Sequence, residues 1–266
     1  MYFSITDNTA GLISAINDFN AEYHRDYSRV RAAAADYLSH APTTDAARTL
    51  ASRLLQALKS WGAGKRGAPD CVSVDVAADC LRDANLVQQL QALADAFAYM
   101  SLDGGIRKFS AGAPFSSVES FDASLLDSLN TLADGLLVGN TNVTYPMKAL
   151  LLLTGLMPAY DSQVKGGLAA AGIAGINKTR YVLPRVREVT LPDARKICVM
   201  PFYLADCVAR SSALLEDAVA GSRYPELSGQ YGRLFDILLF MQAGATADTA
   251  LIRFSAPTAG QRWYEV

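Results

Sequence analysis

An all-α fold, one compact multi-helix domain of about 9–10 helices, is what this sequence predicts, and three observations predict it. Apolar residues recur at three- and four-residue steps over long stretches, those stretches are dominated by Ala, Leu, Gln, Asp and Arg, and alternating β-branched runs are scarce. The composition supplies a core: the 266 residues are 51% hydrophobic and 19% charged, with a net charge of −2. A chain of this size buries about 70% of its unfolded surface without metal or disulfide staples. Abundant Leu, Val, Ile and Phe exclude wholesale disorder, and no self-similarity at periods of about 20–50 residues marks a solenoid. The near-neutral balance excludes a broadly basic coat protein and leaves room for a local basic patch.

The first helix starts after Asp7, carries Leu12, Ile13, Ile16, Phe19 and Tyr23 on one face, and continues or restarts through Val30 to Leu38, with Pro42 as its stop. Thr44 opens a second helix in which Ala47, Leu50, Leu54, Leu55 and Leu58 share a face, and Trp61-Gly62 closes it. Glycine and proline make residues 62–70 a loop. Further helices are expected over about 75–83, 85–101, 122–138, 145–156, 160–174, 198–219 and 227–243. The Gly, Ser and Phe of 102–121 mark the candidate boundary between lobes 1–101 and 122–266, within what is read as a single domain, 1–266. Tyr181, Val182, Leu183, Val186 and Val189 give Arg180–Thr190 strand character, so a short extended arm is expected near 180–190.

Most enzyme signatures are missing, which narrows the function classes. His24 and His40 are the only histidines, so neither HExxH nor a multi-histidine metal site can be built. Cys71, Cys80, Cys198 and Cys207 form two pairs with a spacing of nine, which no CxxC site uses, and they read as reduced thiols packed as small hydrophobes. Gly62-Ala63-Gly64-Lys65-Arg66 lacks the first glycine, the Ser or Thr and the preceding strand of a phosphate loop. GxSxG is absent, and so is GxGxxG at any strand-to-helix junction. No metal and no cofactor are therefore expected. The start Met1-Tyr2-Phe3-Ser4-Ile5-Thr6-Asp7 lacks a basic n-region and apolar run, and the longest apolar stretch, Ala149 to Leu153 and its continuation to Met157, is too short for a span. The expectation is a cytoplasmic protein without a membrane partner.

The most informative segment runs from Asn140 to Leu168. Thr144 is placed to cap a helix with Pro146 in its first turn, and Leu150 to Leu153 bury that helix on nearly all sides. Pro158 breaks the chain, and Asp161 stands where it caps the next helix. Lys148 and Asp161 thus fall near the starts of two consecutive helices. A lysine facing the positive end of a helix dipole is easier to deprotonate and use as a nucleophile, and a carboxylate beside it accepts a proton or steadies a cation. The residues alone leave a plainer reading open, with Asp161 as an N-cap and Lys148 as a snorkelling lysine.

Lys148, the apolar helix and Met157-Pro158-Ala159-Tyr160-Asp161-Ser162-Gln163-Val164 resemble the lysine, helix and Pro-x-x-Asp-x-x-Val run of helix-hairpin-helix DNA glycosylases. The segment is also similar to helical bacterial proteins related to that fold, which share a Trp-Gly stretch like Ser60-Trp61-Gly62-Ala63. The resemblance implies DNA binding and base removal, with Asp161 as catalytic carboxylate and Lys148 as Schiff-base nucleophile. It covers some 25–30 residues, and Val138 to Pro146 offers one glycine where that family carries Leu-Pro-Gly-x-Gly. Lys178 to Lys196 adds a local excess of four positive charges beside Tyr181. Candidate nucleic-acid contacts are Lys165, Lys178, Arg180, Arg185 and Arg187, although such a run also reads as a solvated face. The alternative function is a non-enzymatic helical interaction module, homo-oligomeric or with a protein partner, that keeps the fold without the chemistry.

Overall fold

The protein is described from a computed structural model, covering residues 1–40, 43–65, 67–176, 181–246, 248–255 and 262–266. Ten α-helices and two two-stranded sheets make up its regular structure among those residues. The N-terminal layer is α1 (Thr9–Asp18), α2 (Ala21–Ser39), α3 (Thr44–Ser60), α4 (Val74–Leu81) and α5 (Ala84–Ala96). Each start has a side-chain cap: Asn8, Asn20, Thr43, Ser73 and Asp83 accept from amides of the first turn, satisfying donors that the helix leaves open. α3 ends where expected, with Trp61 as C-cap and Gly62 at φ +108°, a conformation that costs glycine little. Pro42 lies outside the described residues.

The second half holds α6 (Val118–Leu136), α7 (Thr144–Thr154), α8 (Ser162–Ala170), α9 (Pro192–Ala220) and α10 (Tyr231–Met241). α7 is the central element, every residue from Pro146 to Thr154 being buried, and α2, α3, α5 and α6 pack around it. Its four leucines satisfy neighbours on all sides, which is why it shows no polar stripe. Gly155 then turns the chain at φ +71°. α8 and α10 cross at backbone contact, because a Cβ on Gly167 would collide with the Leu239 carbonyl. α9 is long and apolar enough to cross a membrane by length and composition, yet 61% of its most apolar window is buried inside the molecule.

Three differences from the sequence reading have local causes. The helix expected over 85–101 stops at Ala96; a 3-10 turn, Phe97–Tyr99, leads into a hairpin of β2 (Met100–Asp103) and β3 (Ile106–Phe109). Gly104 and Gly105 form its two-residue turn, both with positive φ, the geometry that matches the twist of antiparallel strands. β1 (Tyr2–Ile5) pairs antiparallel with β4 (Ile252–Ser255), joining segments near the two ends of the chain. The arm expected near 180–190 is represented by Tyr181–Pro184, bridged at Val182 to Asn142, before a 3-10 turn at Val186–Glu188.

Candidate active site

A cleft of about 420 Å³ opens between the loop after α3, the start of α7 and the start of α8. Its walls bring together Lys148, Asp161 and Lys165 from the sequence-predicted set, and add Lys65, Trp61, Asn142, Thr144, Tyr145, Ser162 and Tyr181. The volume falls within the roughly 300–1,000 Å³ typical of small-ligand pockets. Among the described residues the lining holds three lysines and one carboxylate, a surplus of two positive charges.

Lys148 stands one turn into α7, its side chain 10% exposed. Its Nζ donates to the Trp61 carbonyl at 3.0 Å, lies 3.5 Å from Asp161 Oδ2, and is 5.2 Å from the centre of the Tyr145 ring. The amine is therefore held from three directions, two of which remain polar at the cleft wall. Thr144 does not cap α7. Val143 occupies the cap position without a side-chain bond, and Thr144 Oγ1 instead donates to the Tyr160 carbonyl at 3.0 Å, tying the start of α7 to the residue before Asp161.

Asp161 caps α8 as the sequence predicted, but that role uses only one of its oxygens. Oδ1 accepts from the Gln163 and Val164 amides at 3.0 and 2.9 Å, leaving Oδ2 to face Lys148. The negative charge of Asp161 raises the pKa values of Tyr23 and Tyr145, where burial is the larger cause.

The turn that delivers Asp161 is fixed from beneath by α10. Asp236 Oδ1 accepts from the Ala159 amide at 3.1 Å, and Asp236 Oδ2 accepts from Arg233 Nη1 at 2.6 Å. Arg233 is 1% exposed and lies 4.8–5.1 Å from the ring centres of Phe19, Tyr27 and Trp61, so the indole next to the Lys148 acceptor packs on this guanidinium. Burial pushes the Asp236 carboxyl up to about 6 and the guanidinium down, each partly restrained by the other's charge. Gly232 lets α10 approach, since a Cβ there would collide with the Gly155 carbonyl.

The remaining predicted contacts divide. Lys165 is 4% exposed and lines the cleft; burial lowers its pKa and the charge of Asp161 offsets part of that. Arg185 donates to Asn130 at 2.9 Å and lies 3.6 Å from Asp134 on α6, away from the cleft wall, and Arg187 is exposed. Lys178 and Arg180 lie outside the described residues. Tyr181, singled out in the basic run, stands in the cleft wall, whereas Lys65 was read as part of a solvent loop. The Trp-Gly step at 61–62 was the available signal for Lys65, because it places a glycine-rich loop after a helix end.

Among the described residues, no group of three or more His, Cys, Asp or Glu could hold a metal ion. The four cysteines are free thiols, and burial raises the pKa of each. No protein family, curated protein or solved structure matches the chain.

Proposed function

We propose that the protein binds DNA at this cleft and acts on a nucleotide there, with Asp161 as the carboxylate and Lys148 as the nucleophile of a glycosylase-like reaction. The observation that carries the reading is the convergence of the two groups: an amine and a carboxylate from successive helices, 3.5 Å apart, lining one open cleft. A structural N-cap needs no lysine opposite its free oxygen, and a snorkelling lysine sends its amine to bulk water.

The chemistry follows from the pair. Asp161 Oδ2 takes a proton from the Lys148 ammonium, freeing a lone pair on Nζ. That lone pair attacks C1′ of the nucleotide; the C1′–N bond breaks, its electron pair leaves with the base, and the proton on Asp161 neutralises the departing base. On an abasic sugar the same amine adds to the C1′ aldehyde, and loss of water gives an imine. The positive surplus of the cleft favours a phosphate-linked substrate, and the Asn142 side-chain oxygen, buried and unpartnered, is an acceptor for a base or sugar donor.

The test is binding and borohydride trapping on a fluorescent duplex carrying an abasic site, from about 50 to 200 mM salt, a range over which phosphate-driven affinity falls steeply. Wild type binds the abasic duplex at low salt and is trapped by reduction of the imine. Lys148→Arg keeps the cation and the binding but is not trapped, since a guanidinium forms no such imine. Absence of binding at the lowest salt overturns the proposal.

A further inference from the structure

Lys165 presents a problem that the Lys148–Asp161 chemistry does not use. It lies on the first turn of α8, 96% buried by its 4% exposure, and lines the cleft. Among the described residues its amine has no hydrogen bond and no ion pair. Its backbone N–H continues the helix by bonding the Asp161 carbonyl at 3.0 Å, but the Asp161 side chain is committed elsewhere, Oδ1 to two amides and Oδ2 towards Lys148. The Asp161 charge favours the ammonium without bonding it, and a buried ammonium that lacks a bonded anion is costly, so proteins pair such groups or keep them for a ligand.

A second group points the same way. The Trp61 indole N–H is buried without a partner, and Trp61 also lines the cleft. Lys65 stands exposed on the loop across the opening. The buried groups without a bonded partner are therefore one cation, Lys165, one neutral donor, the Trp61 indole, and one acceptor, the Asn142 side-chain oxygen, with the exposed Lys65 as a further cation on the rim. The cations and the indole call for an oxyanion, and a protonated tetrahedral one offers several acceptor oxygens and a hydroxyl donor for Asn142.

We infer that the cleft contains a built phosphate subsite centred on Lys165, with Lys65 on its rim, distinct from the Lys148–Asp161 pair that faces the reacting atom. The inference rests on the reading of the cleft as a nucleotide site and narrows it: the substrate is recognised through a phosphate group next to the reacting sugar, and a free base or nucleoside is bound poorly. It also separates the labour of the three lysines, since Lys148 is neutralised by Asp161 while Lys165 keeps its charge for the ligand.

Calorimetric titration of the full chain with inorganic phosphate at low ionic strength tests it without nucleic acid. Wild type binds one phosphate. Lys165→Met weakens that binding about 10- to 100-fold, the worth of one hydrogen bond to a charged group; Lys165→Arg retains most of it, and Lys65→Ala has the smaller effect expected of an exposed charge. Circular dichroism of each variant establishes that the fold is kept. Phosphate bound equally well by wild type and Lys165→Met overturns the inference, as does wild type that binds none. Lys165-dependent phosphate binding without trapping of an abasic duplex supports the subsite and removes the glycosylase reading alone; trapping at Lys148 with phosphate binding indifferent to Lys165 does the reverse.

Discussion

Replacing Arg233 by methionine is expected to destabilise the protein more than almost any other substitution, and the structure gives the size. The guanidinium is 1% exposed, 2.6 Å from Asp236 Oδ2, and stacked against three aromatic rings. Arg233→Met leaves the Asp236 carboxylate buried without its cation, which costs about 3–5 kcal/mol. At roughly 2–4 °C per kcal/mol for a chain near this size, Tm falls by about 6–20 °C. Most of that loss is the uncompensated charge, so the double variant Arg233→Met/Asp236→Leu recovers most of it. It does not recover the site, because leucine cannot accept from the Ala159 amide that holds the turn before Asp161. Thermal unfolding at pH 7 reads the stability of both variants, and abasic trapping reads the site. A double variant no more stable than the single one would refute the reasoning that a stranded charge dominates.

Three further outcomes follow from particular residues. His24 is buried, stacked 3.8 Å from Tyr224, and its pKa is lowered to about 4 by burial first and by the Arg233 charge second. The unfolded chain therefore takes up a proton that the native state refuses between pH 6.5 and 4, so His24 makes stability fall with pH across that window. The contribution is about 2–3 kcal/mol, partly masked by Asp236, whose raised pKa acts in the opposite sense. Denaturant unfolding at pH 7 and pH 4.5 measures it, and His24→Gln should show a shallower pH dependence than wild type. Gly232→Ala places a Cβ against the Gly155 carbonyl; a loss of about 1–3 kcal/mol is expected, with reduced trapping because the α7–α8 turn must move. Asp161→Asn keeps an oxygen for the cap but removes the proton acceptor, so it should leave the unfolding free energy within about 1 kcal/mol of wild type while suppressing base release, measured by strand cleavage at alkaline pH.

How much of this was legible in the sequence depends on whether the signal was local. Some caps and stops were: Asp161 capping α8, Pro146 in the first turn of α7 and Trp61-Gly62 closing α3 are decided by neighbouring residues, whereas the cap expected of Thr144 and the stop of α5 at Ala96 were not. The β2–β3 hairpin was also written locally, in Asp103-Gly104-Gly105-Ile106, but the surrounding Gly, Ser and Phe read as a loop. The β1–β4 pair was not, because Tyr2–Ile5 and Ile252–Ser255 are four-residue strands whose partners are nearly a whole chain apart. Within the site, Lys148 and Asp161 were named from helix starts, yet their meeting depends on the Thr144–Tyr160 bond and on the Asp236–Ala159 anchor. Arg233 carried only a local signal, an i,i+3 partner in Asp236 on a mostly apolar helix, and the packing of α10 under the turn gives the pair its role.

The central claim is that Lys148 is the reactive amine of a DNA-directed cleft, and mapping the trapped adduct tests it most directly. After borohydride reduction on an abasic duplex, proteolysis and mass spectrometry should place the sugar remnant on the peptide containing Lys148, with little on Lys65 or Lys165. A remnant spread over surface lysines, or no remnant at all, would contradict the account.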